Sequence, residues 1–220
     1  MRSELIVMLT HNDLTVENAY EIFEQCQDTK ALYWGFKEQP LPIEEMKRIY
    51  SKMKECGERT VLEVVAYTEA EGLEGAQMAA TCGCDVLMGT CYSESIHKLC
   101  QQHNIAYMPF VGQITGRPSI LMGSIDSMVE EAKRLKEKGV FGVDLLGYRY
   151  EQDAEQLISD VVNKVGNPVC VAGSIDSYER LQFIKKVQPW AFTIGSAFFE
   201  NKFGDTFAEQ INKVCDFINA

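Results

Sequence analysis

The feature that most constrains this chain is a regular beat. Eight short apolar runs, at 4–10, 31–36, 60–67, 85–90, 105–111, 140–146, 168–173 and 191–196, alternate with eight amphipathic segments such as "IEEMKRIYSKMKEC" and "MVEEAKRLKEKG". In the longer segments apolar residues recur at three- and four-residue spacing, the period of a helix with one buried face. Strict alternation of strand and helix calls for parallel strands joined by helical crossovers. Spread over 220 residues, each unit has about 27, enough for a strand, a helix and two short loops. An open doubly wound sheet usually carries a glycine-rich turn after its first strand. Here that turn is "THNDLTVEN", with no glycine, whereas Gly-Ser pairs follow the seventh and eighth runs. That placement fits a closed barrel, whose phosphate sites form after those strands. The chain is therefore expected to be α/β, a single-domain (β/α)8 TIM barrel over residues 1–220, since no Pro/Gly/Ser-rich linker divides it. Two stretches break the regularity: the 12-residue loop "GQITGRPSILMG" after the fifth run and the "GYRYEQ" turn after the sixth.

Composition narrows the function classes. No apolar run is long enough to span a bilayer, and "MRSELIVMLTHND" lacks the uninterrupted apolar stretch of a secretory signal. The eight cysteines mostly fall within apolar segments, where a thiol packs as a small hydrophobe, so a reduced, cytoplasmic protein is expected. A net charge of −11, with no basic cluster beyond the "KRLKEK" of one amphipathic helix, argues against nucleic acid as a partner. A small anion is still allowed, because local amide dipoles hold phosphate even on an acidic protein.

The pentapeptide "GSIDS" occurs twice, at Gly123–Ser127 and Gly173–Ser177. Both copies precede a helical run, and "DS" suits an N-cap: Asp126 or Ser127 in the first, Asp176 or Ser177 in the second. Only the second copy follows a clean strand, "PVCVAG", and "AFTIGSAFFE" repeats its strand–Gly–Ser–helix shape. With "VAGSI" and "FTIGSAFFE" closing eight βα units, the chain resembles the phosphate-binding (β/α)8 barrels. That group includes ribulose-phosphate epimerases, orotidine-phosphate and hexulose-phosphate decarboxylases and synthases, phosphoribosylanthranilate isomerase and sugar-phosphate epimerases. The resemblance implies that Gly173, Ser174, Gly195 and Ser196 hold a substrate phosphate through their amides; the first copy, which follows a long loop, is read from its own setting as a helix cap only.

Catalytic groups in such a barrel come from strand ends, and an ionisable residue inside an apolar strand needs a partner or a purpose. Asp144 interrupts "VFGVDLLG", Glu63 interrupts "TVLEVVAY", and Lys37 ends the second run. The first two are expected to face one another across the barrel as proton-transfer groups, with Lys37 as electrophile or second acid. His11, Arg117 and Arg149 are further candidates for substrate contact, the arginines as clamps for an anion; His97 and His103 are read as surface residues. Motifs diagnostic of subfamilies are missing: strand 3 reads "EVVAYT" where the decarboxylases have Asp-x-Lys-x-x-Asp, and "MLTHND" holds no cysteine where phosphoribosylanthranilate isomerase has one. No metal or other cofactor is implied. The expected function is metal-independent acid/base chemistry on a phosphorylated sugar or sugar acid, by an epimerase or isomerase. A sugar-phosphate lyase or aldolase, and a catalytically silent phosphate-binding regulatory barrel, are the alternatives. The partners this reading allows are a phosphorylated small molecule and, in a homo-oligomer, further copies of the chain, with no nucleic acid and no membrane.

Overall fold

Each apolar run becomes a strand because its residues are buried on both faces, against the barrel interior and against a helix. The computed structural model describes residues 3–220. The barrel strands are Glu4–Met8 (β1), Tyr33–Lys37 (β2), Arg59–Val64 (β3), Val86–Gly89 (β4), Ala106–Met108 (β5), Val143–Leu145 (β6), Val169–Val171 (β7) and Ala191–Ile194 (β8). All pair in parallel, in the order β6-β7-β8-β1-β2-β3-β4-β5. The seam between β5 and β6 closes through a parallel bridge of Phe110 with Asp144. There the Asp144 N–H donates to Pro109 O at 2.9 Å and the Phe141 N–H to Tyr107 O at 3.1 Å. The expected (β/α)8 barrel is the observed fold.

Eight helices pack outside: Ala19–Cys26 (α1), Ile43–Glu55 (α2), Glu69–Cys82 (α3), Glu94–Gln102 (α4), Ile125–Glu137 (α5), Ala154–Val165 (α6), Tyr178–Val187 (α7) and Phe207–Asn219 (α8). From α3 onward each begins at a Ser, Thr or Asp whose side chain accepts an otherwise unpaired amide of the first turn. Their apolar stripes bury Phe23 edge-on against Trp34 and stack Tyr50 on Phe36. The Tyr50 hydroxyl donates to Val61 O at 2.7 Å, so even this polar tip is satisfied. His97, expected at the surface, is buried between Tyr92 and Tyr107, each ring centroid 6.0 Å away. It lies on the inner stripe of α4, beside Ile96 and Cys100. No helix among the described residues is long and apolar enough to cross a membrane.

Two antiparallel hairpins rise from the carboxyl-terminal mouth. In the first, Thr10–His11 pairs with Leu14–Thr15 around Asn12 and Asp13. Both turn residues have positive φ, 49° and 68°, as a two-residue hairpin turn of the mirror-image type demands. Thr15 stitches this hairpin to the end of β2: its hydroxyl donates to Lys37 O at 2.8 Å, and its N–H to Gln39 O at 2.9 Å. In the second, Gln113–Thr115 pairs with Ile120–Met122, so the irregular loop after β5 is an ordered arm.

The two "GSIDS" copies fold differently. In the first, Ser124 is the cap and accepts the Ser127 N–H at 3.2 Å, so α5 starts at Ile125, ahead of the expected Asp126 or Ser127. In the second, Gly173 and Ser174 both have positive φ and Ile175 is buried. The chain therefore runs as a loop until Ser177 caps α7. In the second copy the helix thus starts three residues later than in the first.

The start of β6 yields a test. A Cβ at Gly142 would run into Pro168 O and lie 2.7 Å from Met108 Cε. Gly142→Ala is expected to lower unfolding free energy in urea by about 1–3 kcal/mol, the usual cost of overpacking. Wild-type stability in that variant would contradict the close packing of the start of β6 against Pro168 and Met108.

Candidate active site

The deep end of the mouth is built by strand register. Lys37 of β2 lies opposite Glu63 of β3 in the parallel ladder, and Lys37 Nζ sits 3.8 Å from Glu63 Oε1. From the other side the Asn12–Asp13 turn delivers Asp13, whose Oδ1 accepts a hydrogen bond from Lys37 Nζ. All three side chains are at least seven-eighths buried. Burial pulls the Lys37 ammonium toward its neutral form, but the charge of Glu63 and the hydrogen bond and charge of Asp13 outweigh it. The net shift is upward, so Lys37 is held charged. Asp13 Oδ2 has no hydrogen-bond partner. In the sequence Asp13 falls at the end of the first strand but is not among the expected site residues, because an Asn-Asp turn lacks the glycine that marks most such hairpins.

Asp144 is placed otherwise than expected. It is 0 % exposed and neither carboxylate oxygen has a hydrogen-bond partner. It does not line the cavity, and lies in the barrel interior within electrostatic reach of Glu63, Lys37 and Cys170. Burial raises its pKa well above the ordinary aspartate range, and the charge of Glu63 adds to the rise. Lys37 opposes it, as does the Gly89 amide, which stops short of hydrogen-bond geometry. The inward direction of Asp144 follows from strand alternation; its depth does not, and depth takes it out of contact with the cavity.

A cavity of about 220 Å³ runs from Lys37, Glu63 and Asp13 to the ends of β7 and β8. At that far corner Gly173, Ser174, Gly195 and Ser196 come together, as the paired Gly-Ser signal implied. The donors differ in part. The Gly173 N–H is already given to Thr193 Oγ1 at 3.2 Å. The amides of Ser174, Ile175, Ser196 and Ala197 donate to nothing within the described chain. Arg149 lines the same corner, its Nε without a partner and its Nη1 only 3.5 Å from Ser119 O. Unused amides beside a guanidinium that pairs with no carboxylate suit a phosphate or similar anion.

Arg117 and His11 are placed differently from Arg149. Arg117 Nη2 is committed to Glu38 Oε1 and Val65 O, both at 2.7 Å, and so anchors the second hairpin across the mouth. It borders an outer cavity of about 650 Å³, which shares Asp13, Arg149, Ser174 and Ser196 with the inner one. His11 lines neither cavity; its ring stacks on Phe199 at 5.4 Å, because the hairpin turn points alternate side chains away from the mouth.

No family model matches the chain, and no curated protein matches it. Solved structures do. The chain is similar to one described as native KDPGal structure, with 13% identity, a TM-score of 0.71 and coverage of 98% of this chain and 94% of that one. It is also similar to orotidine 5'-phosphate decarboxylase from Pyrococcus horikoshii OT3, with 14% identity, a TM-score of 0.71 and coverage of 98% and 99%. A third likeness is to the N-acetylmannosamine-6-phosphate 2-epimerase from Clostridium perfringens, with 14% identity, a TM-score of 0.66 and coverage of 99% and 93%. At such identities what is shared is the fold, the (β/α)8 barrel along essentially the whole length.

Asp144 gives this site a stability signature. Above the ordinary value of 3.8, and up to its raised value, the folded chain keeps a proton that the unfolded chain releases. Stability therefore falls as pH rises through that window. Asp144→Asn removes the effect, so its Tm should match the wild type near pH 4 and exceed it at pH 7. Each 1 kcal/mol of difference appears as roughly 2–4 °C in a domain of this size. Parallel Tm profiles for the two proteins would contradict a buried, proton-holding Asp144.

Proposed function

We propose that this protein is an enzyme of acid/base chemistry on a phosphorylated sugar, an epimerase or isomerase. The observation that carries the reading is the division of one cavity into two ends: a buried Lys37–Asp13–Glu63 cluster and, across from it, an anion corner of free amides with Arg149, which pairs with no carboxylate. The phosphate is held in the corner, which fixes the sugar chain along the cavity. The Lys37 ammonium then hydrogen-bonds the carbonyl oxygen and stabilises the enolate that forms when an adjacent carbon loses its proton. Glu63 is the base; Asp13, with one oxygen engaged by Lys37 and the other free, is the second proton carrier. Asp144 lies outside the cavity and takes no part in this proton transfer. The pairing of Lys37 also favours this chemistry over a Schiff-base aldolase, because imine formation needs a neutral amine.

The test is solvent exchange. Phosphorylated ketoses incubated with the protein in D₂O are expected to take up deuterium at the carbon next to the carbonyl, read by proton NMR. Glu63→Gln should slow exchange by roughly 10²–10⁴-fold while leaving affinity for inorganic phosphate nearly unchanged. Arg149→Ala should weaken phosphate binding by about ten- to a hundredfold, the scale of one charged hydrogen bond. It is a cleaner probe than the glycines: a Cβ at Gly173, where φ is +79°, would meet Arg149 Nε at 2.9 Å, and one at Gly195 would meet Thr10 Oγ1 at 2.6 Å. Phosphate binding without exchange of any phosphosugar would make the chain a binding barrel and overturn the enzymatic reading.

A further inference from the structure

The charges along the inner cavity bear on which phosphorylated compounds it accepts. Six charged side chains line it: Asp13, Lys37, Glu63, Arg149, Asp176 and Glu200. Two of these are neutralised from outside, Asp176 by Arg180 at 2.9 Å and Glu200 by Lys202 at 3.5 Å. Arg149 belongs to the anion corner. The deep end is left with one cation between two carboxylates, Lys37 between Asp13 and Glu63. An ammonium has three N–H donors. Here one goes to Asp13 and a second is directed at Glu63 by proximity, which leaves one for a ligand oxygen. Asp13 Oδ2 still lacks a donor, and the Thr10, Ser119 and Thr193 residues that line the cavity carry hydroxyls, which donate or accept.

Such an end accepts hydrogen bonds better than it gives them. A ligand hydroxyl donates to Asp13 or Glu63, and a ligand carbonyl takes the remaining Lys37 proton. A ligand carboxylate brings acceptors alone and a like charge, with no cation left over to hold it. Like charges set side by side in a desolvated site cost several kcal/mol.

On the reading above of a phosphate in the Ser174–Ser196 corner, we infer that the end of the substrate facing Lys37 is uncharged. The substrate class is then a phosphorylated polyhydroxy aldehyde or ketone, and phosphorylated sugar acids are rejected. Of the two compound types expected from the sequence, a phosphorylated sugar or sugar acid, only the first fits this end of the cavity.

A matched pair of acyclic ligands tests it. Sorbitol 6-phosphate and 6-phosphogluconate share chain length and phosphate and differ at the far carbon, a hydroxymethyl in one and a carboxylate in the other. Isothermal titration of the full chain at pH 7.5 is to be run with each, and with inorganic phosphate as the reference for the anion corner. The polyol is expected to bind about tenfold or more tightly than the acid, and Glu63→Gln and Asp13→Asn are expected to shrink that ratio by strengthening the acid. Equal or tighter binding of the acid, with both ligands weakened by Arg149→Ala, would overturn the inference while the phosphate reading stands. If inorganic phosphate and both esters fail to bind, the phosphate reading fails, and the inference with it.

Discussion

The arrangement of the mouth depends on one buried ammonium. Lys37 ends a strand whose other residues are apolar, and burying it unpaired would cost far more than the protein's margin of stability allows. Two features supply its partners. Parallel register sets Glu63 directly beside it, and the Thr10–Thr15 hairpin, tied to β2 through Thr15, brings Asp13 over it. Removing one member of such a cluster strands the others, so the three residues behave as a unit. The unit is also what polarises the cavity, with an acceptor-rich deep end and a donor-rich corner where β7 and β8 stop.

The corner is a product of backbone. Ser174 and Ser196 follow glycines at the ends of adjacent strands, and their amides leave the ladder with no acceptor. Arg149, just after β6, completes the corner because no carboxylate reaches it. Arg117 has the same side chain and a different job, since Glu38 neutralises it and turns it into an anchor for the arm after β5. Whether an arginine recognises a ligand or braces a loop is decided by which carboxylate lies within reach.

The barrel was legible in the sequence because it rests on period alone: alternating runs, short loops and no divider. The corner was legible for a similar reason, since glycines followed by serine at two strand ends announce themselves locally. What long-range packing decides was not. Asp144 and Glu63 look alike in sequence, each a lone carboxylate in an apolar strand, yet one lies under the cavity and the other on its wall. Asp13 joins the cluster through a hairpin whose turn has no glycine to mark it. His97 sits on a helix stripe otherwise read from its apolar members. The two "GSIDS" copies make the same point: identical pentapeptides cap at different serines, because Ser174 takes a positive φ and Ile175 is buried, while Ser124 is extended and Ile125 is only partly buried.

On the proposed function, one cavity holds a phosphate at one end and a neutral carbonyl or hydroxyl at the other. A crystal structure of the protein soaked with sorbitol 6-phosphate addresses it most directly. The phosphate is expected on the amides of Ser174 and Ser196 with Arg149 against it, and the far hydroxyls within hydrogen-bond distance of Asp13, Lys37 or Glu63. A phosphate bound at Lys37, with the polyol running toward Arg149, would contradict that arrangement.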